Sequence, residues 1–319
     1  MKKATFTISL DFELHWGRFD KYALKDNLSY YAETKKVVPY ILELFERYSI
    51  EATWATVGGL MAENLEEWEQ YCPVRKPGYH EKKYSAYTWM QRERPGQFEA
   101  LFAPELVRQV IDCPGQEVGS HTFAHYYTSE KGQVAEEFRS DLRACQKLAK
   151  DKFQIDLQSL VFPRNQYHAE VIRVAYEEGF DFIRSNPRDW FWERTEENGL
   201  LKRFFRTGDT FIHIGQPSHY SMPELKDENP LLLPASRLLR PYRKDAILHK
   251  QRLKRIKNEL LATARSGDVY HLWWHPHNFG LYPFENLHYL EQLFQYFDTL
   301  RKEYGMASLN MRNSAKKVG

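Results

Sequence analysis

The chain alternates short apolar runs with stretches of helical periodicity, and this alternation restricts the folds open to it. Runs of strand length lie at residues 1–11, 52–57, 117–120, 159–162, 182–184, 210–214 and 269–275. Segments with helical spacing lie between them, at 37–45, 99–112, 130–151, 168–179, 245–264 and 285–303. Strands separated by helices predict parallel βα units, and this number of units predicts an α/β barrel. Active sites of such barrels lie at the carboxyl ends of the strands.

The length of the chain fits either one α/β barrel or two medium domains. It has 319 residues, 42% of them hydrophobic and 15% aromatic, which is enough to bury a large core. We expect a single catalytic domain over residues 1–319 that is interrupted by two insertions. The first, at 69–98, is rich in Tyr, Arg, Lys and Gly, and the second, at 216–245, begins with a Pro-rich connection.

Charge and cysteine content exclude several classes of protein. The 45 basic and 43 acidic residues nearly cancel, so net charge gives no support to a nucleic-acid partner. Cys72, Cys113 and Cys145 are far apart, which argues against a disulfide framework and a cysteine-rich zinc site. The N-terminus is too polar for a signal peptide, and no apolar run is long enough for a transmembrane helix. These features predict a cytoplasmic protein without a transmembrane segment.

Polar side chains collect where the predicted strands end. They are Asp11, Glu13, His121, His125, Arg164, Asn165, Asp189, Trp190, His275 and His277. His121 and His125 are four residues apart, so one helical turn would bring their Cβ atoms to about 5–6 Å and let both imidazoles bind one metal ion. Any one of these residues could instead cap a helix, join a surface ion pair or lie in the core. Their common position at one rim favours a site.

Five segments resemble, in order, the motifs of the NodB-like polysaccharide deacetylases, which form carbohydrate esterase family 4. Ser9-Leu10-Asp11-Phe12-Glu13 is similar to a D-x-E variant of the first motif. His121-Thr122-Phe123-Ala124-His125 matches H-[ST]-x-x-H completely. The third, fourth and fifth motifs resemble Phe162-Pro163-Arg164-Asn165-Gln166, Asp189-Trp190 and Trp273-Trp274-His275. The resemblance implies a distorted (β/α)7-type barrel with loop insertions.

The resemblance also implies roles for individual residues. The implied metal ligands are Glu13, His121 and His125, a set typical of hydrolytic Zn²⁺ sites. Asp11 would act as the base towards a metal-activated water, and His275 would protonate the departing amine. Arg164 or Asp189 would orient these groups, and a backbone N–H near Asn165 would hold the oxyanion. The expected substrate contacts are Tyr126, Asn165, Trp190 and His277.

The activity that this site implies is removal of an N-acetyl group from an amino sugar. The substrate would be free, nucleotide-linked, lipid-linked or part of an oligosaccharide, in the biosynthesis of a surface polysaccharide or glycolipid. One alternative is a glycoside hydrolase that uses Asp11 and Asp189, although the histidine pair would then have no role. An inactive carbohydrate-binding or scaffold protein is a second alternative. Within the amidase class, a deformylase or an enzyme for a non-sugar amide also remains open.

The segment from Arg237 to Lys257 is the only dense basic stretch of the chain. Its simplest interpretation is a solvated helix face. The alternative hypothesis is that it attracts a phosphate, either in a nucleotide-linked or lipid-linked sugar or at an anionic membrane surface. The second source would make this segment a peripheral membrane contact.

Overall fold

The computed structural model describes residues 3–93, 98–192, 199–209, 217–225 and 229–316. The strands in these ranges are β1 (Thr5–Phe12), β2 (Ala52–Thr56), β3 (Gln116–Ser120), β4 (Ser159–Val161), β5 (Phe182–Ser185), β6 (Leu231–Pro234), β7 (Arg237–Leu238), β8 (Val269–Trp274) and β9 (Ala307–Ser308). The α-helices are α1 (Leu28–Arg47), α2 (Leu65–Tyr71), α3 (Ala86–Glu93), α4 (Pro104–Asp112), α5 (Ala135–Phe153), α6 (Ala169–Glu177), α7 (Leu200–Gly208), α8 (Ala246–Ser266), α9 (Pro283–Tyr304) and α10 (Met311–Lys316). Of the helices in these ranges, none is long and apolar enough to cross a membrane.

The strands form one parallel sheet that curls into a barrel. Their order is β6-β5-β4-β3-β2-β1-β8-β7, and β9 pairs with Thr5 and Phe6 at the start of β1. β6 and β7 belong to one continuous segment, 231–238, whose first half pairs with β5 and whose second half pairs with β8. This segment therefore occupies a single position and leaves seven positions around the ring. The predicted (β/α)7-type barrel is confirmed.

The segment that closes the ring was not predicted as a strand. The sequence predicts a Pro-rich connection there, and this prediction is wrong for 231–238. Two features hide the strand: its apolar residues do not alternate, and Pro234 has no N–H for a sheet ladder. The segment changes partner at its centre, where the Ala235 N–H donates to Ser185 (2.9 Å) and the Ser236 N–H donates to His271 (2.7 Å).

Two further differences concern the segments between the strands. The predicted strand at 210–214 lies outside the described residues. The segment 69–98 is less irregular than expected, because α3 and a short 3-10 helix at Lys82–Tyr84 lie within it. Ala86, Trp89 and Met90 give α3 a buried face, so it packs against the core.

β1 is a fully buried strand of the ring, and its carboxyl end carries part of the site. All eight of its residues are buried, as expected for a parallel strand covered on both faces. β2 pairs with it on one side and β8 on the other. Outside the sheet, Phe45 of α1 contacts Trp54, Trp274 and Phe294, and so joins the strand layer to the helices. β1 thus delivers Asp11 and Glu13 to a fixed position.

Candidate active site

Polar side chains converge at the carboxyl ends of β1, β3 and β8. They are Asp11 in β1, Glu13 directly after β1, His121 and His125 after β3, and His275 and His277 after β8. The histidine pair and the two acids are almost fully buried, whereas the His275 side chain is 25% exposed. Substrate would therefore reach the cluster from the side of His275.

Glu13, His121 and His125 form a group that could hold a metal ion. One potential ligand atom from each residue lies within 4.8 Å of the others. Glu13 Oε2 is 3.3 Å from His121 Nε2 and 3.1 Å from His125 Nε2. Burial tends to raise the pKa of Glu13, but neighbouring histidines, His275 first, hold the pKa well below its ordinary value. Burial lowers the pKa of His125. An ionised carboxylate and a neutral imidazole are the forms that bind a divalent metal.

The hydrogen bonding of His121 fits a cation at this point. Its Nδ1 lies 2.8 Å from the carbonyl oxygen of Val161, which can only accept a hydrogen bond. When the imidazole carries one proton, that proton is on Nδ1 and the Nε2 lone pair faces the Glu13 carboxylate. Lone pairs that face each other at this distance repel unless a proton or a metal ion lies between them. The donor set of two imidazoles and one carboxylate is also the set found in hydrolytic zinc sites.

His121 and His125 converge through a loop and not through the helical turn that their spacing predicts. Residues 121–125 have no helical assignment, and Thr122 and His125 have positive φ angles of 65° and 55°. A positive φ is costly for a β-branched residue such as Thr122. Local hydrogen bonds hold the loop: the Tyr126 N–H donates to Thr122 Oγ1 (2.7 Å), and the Phe123 N–H donates to Asp141 Oδ1 (2.6 Å).

Asp141 of α5 stabilises this loop through the hydrogen bond that it accepts from Phe123. It is fully buried, and its second oxygen accepts a hydrogen bond from the Tyr87 hydroxyl (3.1 Å). Burial raises the pKa of Asp141 to about 7, even though the donors from Phe123 and Tyr87 act in the opposite direction. Asp141 is therefore a positioning residue whose protonation changes near neutral pH.

Replacing Asp141 by asparagine should remove a pH-dependent part of the stability. In the wild type the folded state holds the proton up to a pH of about 7, whereas an unfolded aspartate loses it near pH 4. The contribution is therefore complete below about pH 4 and is lost as the pH rises towards 7, with an upper limit of about 4 kcal/mol. Asparagine keeps an acceptor for Phe123 and has no such titration.

Denaturant unfolding at a series of pH values measures this difference. Between pH 4 and 7 the free energy of unfolding of the wild type should fall relative to that of Asp141→Asn. Asp156→Asn is the matched control, because Asp156 is exposed and pairs only with Lys150 among the described residues. Parallel curves for the wild type and Asp141→Asn would contradict the assignment.

Asp11 is held by a buried arginine on the opposite side of the barrel. Arg184 of β5 donates from Nη1 to Asp11 Oδ1 (2.6 Å) and from Nη2 to Oδ2 (2.9 Å). Arg184 also donates to Ser9 (3.1 Å) and to the side-chain oxygen of Asn165 (2.9 Å), and it lies over the ring of Trp273. Burial works to raise the pKa of Asp11, but the charges of Arg184, His275 and His121 together outweigh it and the pKa is lowered. Asp11 is therefore ionised and fixed in orientation.

His275 and His277 complete the cluster. His275 Nε2 lies 3.6 Å from Asp11 Oδ2 and 3.7 Å from Glu13 Oε1, so it faces both carboxylates. His277 Nδ1 lies 3.6 Å from Glu13 Oε1. Burial lowers the pKa of His277 to about 3, so this imidazole is neutral at physiological pH. Of the two, His275 is the exposed one and the better placed to exchange a proton with a substrate.

Comparison with known families identifies the family of this chain. The sequence profile of the polysaccharide deacetylase family matches residues 19–183, just over half of the chain. The chain belongs to this family. No curated protein matches it.

Solved structures share the deacetylase fold at low sequence identity. A Mycobacterium smegmatis protein assigned as a polysaccharide deacetylase has a TM-score of 0.62 at 13% identity, over 100% of this chain and 91% of that one. A Pseudomonas aeruginosa PAO1 protein with the same type of assignment has a TM-score of 0.61 at 12% identity, over 98% and 89%. Puue allantoinase has a TM-score of 0.59 at 12% identity, also over 98% and 89%. These likenesses concern the fold alone.

The arginine of the deacetylase-like third motif does not orient Asp11, contrary to the sequence prediction. Arg164 instead forms ion pairs with Asp20 and with Glu130 (3.3 Å), and its guanidinium lies 3.9 Å from the ring centre of Tyr127. It follows β4 with a positive φ of 57°. Arg184 has the orienting position in its place.

Asn165 and Tyr126 also differ from the predicted roles. The Asn165 N–H donates to the carbonyl oxygen of Phe162 (2.9 Å), so this amide is not directed at a substrate oxyanion. The side chain of Asn165 instead helps to hold Arg184. Tyr126 is buried, and its hydroxyl donates to Gln133 at the start of α5, so it is not a wall of the pocket.

Asp189 and Trp190 lie apart from the cluster. Asp189 lines a separate crevice of about 260 Å³ with His219 and Tyr220. Trp190 is 49% exposed, and its ring contacts Phe205 of α7. Neither side chain contacts the converging histidines and acids in the described part of the chain. The predicted orienting role of Asp189 and the substrate contact of Trp190 are not supported by these positions.

Arg184 and Asp141 are the important residues that the sequence prediction missed. A signal existed for each. Arg184 follows Phe182 and Ile183 in a predicted strand, and a charge within a buried strand requires a buried partner. Asp141 falls on the apolar face of α5 with Phe138 and Leu142, where an isolated acid requires hydrogen-bond donors.

Proposed function

We propose that this protein is a metal-dependent deacetylase that hydrolyses the N-acetyl group of an amino sugar. The observation that carries the proposal is the close approach of Glu13, His121 and His125 beside the oriented carboxylate of Asp11. Family membership supplies the deacetylase class. The proposed substrate is a free, nucleotide-linked, lipid-linked or oligomeric N-acetylated sugar used to build a surface polysaccharide or glycolipid.

The residues of the cluster have complementary roles in this proposal. Glu13, His121 and His125 would hold a divalent metal, with Zn²⁺ as the ion that suits this donor set best. Such a metal supplies Lewis-acid polarisation of a carbonyl and lowers the pKa of water. Asp11 accepts the proton of the attacking water, because Arg184 keeps its carboxylate ionised and fixed. His275, which is exposed towards the opening, donates a proton to the amine as the C–N bond breaks.

Acetate release from the purified protein tests the proposal. The panel contains free N-acetylglucosamine, a uridine diphosphate derivative and short N-acetylated oligosaccharides, with the metal content measured on the same samples. We expect acetate from at least one of them, loss of this activity with a chelator, and its recovery on adding Zn²⁺. A chelator-resistant release of reducing ends would favour a glycoside hydrolase. Release of formate instead of acetate from formylated analogues would favour a deformylase.

A further inference from the structure

A basic crevice lies beside the carboxyl end of β7, outside the ring of strands. It is lined by residues of β7, α8 and α9 and by the residues after β7: Arg237, Leu238, Leu239, Arg240, His249, Arg252, Leu253, Ile256 and Tyr289. Three of these side chains are guanidinium groups. The proposed catalytic residues do not line it.

Two arginines of the crevice have contrasting surroundings. Arg237 donates to Glu259 (2.6 and 2.7 Å) and to Asp209 (3.1 Å). Burial opposes its charge, but the two acids raise the pKa of Arg237 above its ordinary value. Arg240 has no ion pair with a carboxylate of the described residues, and its buried Nε has no hydrogen-bond partner there.

The described charges that act on Arg240 are those of three other arginines. Burial lowers its pKa, and Arg252, Arg243 and Arg237 lower it further. Burial and Arg243 likewise lower the pKa of Arg252, and Asp245, which caps α8, acts in the opposite direction. Partly buried guanidinium groups that repel one another are stabilised when an anion lies between them.

His249 adds a neutral polar atom to the same crevice. Its side chain is 95% buried, since its relative exposure is 5%, and its Nδ1 has no hydrogen-bond partner in the described part of the chain. Burial and the charge of Arg252 lower the pKa of His249 to about 4. A neutral imidazole is one hydrogen-bond donor that a bound anion could use, and the ring is held against Tyr289 at 4.1 Å between centroids.

We propose that this crevice binds a phosphate group, with Arg240 and Arg252 as its main contacts and His249 and Arg243 beside them. Guanidinium groups bind phosphate through two parallel N–H···O bonds, a geometry for which lysine is less suited. Phosphate sites of α/β barrels are often built from the loops after the last strands. The loop from β7 to α8 has this position, because Leu239 bonds to Trp273 (2.8 Å) two residues before His275.

The surface around the crevice suits the phosphate of a lipid headgroup as well as the phosphate of a soluble compound. Ile247 is 72% exposed and Phe284 is 83% exposed at the starts of α8 and α9. The loop before α8 is linked to the first turn of α9, because the Tyr242 N–H donates to the side chain of Asn286 (2.7 Å). Exposed basic residues lie on the same segment: Arg243, Lys244 and Lys250. Apolar side chains among basic ones are typical of a surface that contacts anionic lipid.

Calorimetric titration with inorganic phosphate, in chloride buffer of constant ionic strength, tests the site without any enzyme assay. The wild type should bind phosphate saturably, and Arg240→Gln/Arg252→Gln should lower the affinity by about tenfold or more, because two charge-assisted contacts are lost. Lys36→Gln/Lys302→Gln removes the same charge from exposed positions of α1 and α9 and should bind as the wild type does. Thermal unfolding without phosphate checks that each variant is folded.

Two results would overturn the proposal. One is a wild type that takes up no phosphate in preference to chloride, and the other is an equal loss of affinity in both double variants. Sedimentation with phosphatidylcholine vesicles, with and without phosphatidic acid, then distinguishes the sources. Binding that needs phosphatidic acid and the two arginines identifies a lipid phosphate, whereas phosphate binding without vesicle binding identifies a soluble phosphate compound. Phosphate binding with no deacetylation would leave this site intact and refute only the proposed activity.

Discussion

Glu13→Gln should abolish metal binding and, with it, hydrolysis. The substitution keeps the shape of the side chain but removes the charge that faces His121 Nε2 and His125 Nε2 at 3.3 and 3.1 Å. The glutamine can also turn its amide NH₂ group towards the two imidazoles. In that orientation the NH₂ group would repel a metal ion between them. Loss of a direct ligand should exceed the 10- to 100-fold effect of losing an outer partner, so we expect metal affinity to fall by more than about a hundredfold.

Elemental analysis after dialysis measures this loss, and acetate release measures its consequence. The wild type should retain about one Zn²⁺ per chain, the number that one set of three protein ligands holds. His121→Ala should match Glu13→Gln, because each removes one member of the same set. Glu303→Gln changes an exposed carboxylate at the end of α9 and is the matched control. Full zinc content in Glu13→Gln would refute the ligand assignment.

Arg184→Met should destabilise the barrel interior strongly. It leaves the Asp11 carboxylate buried without its two guanidinium donors, and breaking a buried ion pair in this way costs about 3–5 kcal/mol. Asp11→Asn removes the negative charge of the pair, so that no buried carboxylate is left without a partner when Arg184 is also replaced. The double variant Arg184→Met/Asp11→Asn should therefore be more stable than Arg184→Met alone.

Denaturant unfolding of the wild type, the two single variants and the double variant forms the required cycle. Arg184→Lys serves as the conservative variant: it keeps the charge but not the paired N–H groups, so its stability should lie between the wild type and Arg184→Met. Additive losses of Arg184→Met and Asp11→Asn would mean that the two side chains do not depend on each other. That result would contradict the orienting role of Arg184.

The sequence predicts the parts of this molecule that depend on local pattern. Alternating strands and helices predict the barrel, and the H-x-x-x-H spacing brings together two histidines that are close in space. The same spacing does not distinguish a helical turn from a loop with positive φ angles. The backbone conformation between His121 and His125 is therefore known only from the structure. The spacing of residues constrains which atoms are near, but not which backbone brings them there.

Long-range partners are the part that the sequence could not predict. Asp11 and Arg184 are 173 positions apart, and only the curvature of the barrel brings β5 to face β1. Arg164 was the natural choice because it follows a strand in a recognisable motif, yet a motif position does not say which carboxylate the guanidinium will reach. Asp20, from the loop after β1, reaches Arg164 instead. Pairing across the inside of a barrel depends on packing that local pattern does not encode.

The segment from Leu231 to Leu238 forms the seam of the barrel, where the ring closes between β5 and β8. β5 on one side of the seam carries Arg184, and β8 on the other side leads to His275. The segment matched by the family profile, residues 19–183, contains only two side chains of the cluster, His121 and His125. The proposed base, third ligand, orienting arginine and acid, which are Asp11, Glu13, Arg184 and His275, lie before and after this segment. The proposed site is therefore complete only when the segment 231–238 closes the ring between β5 and β8.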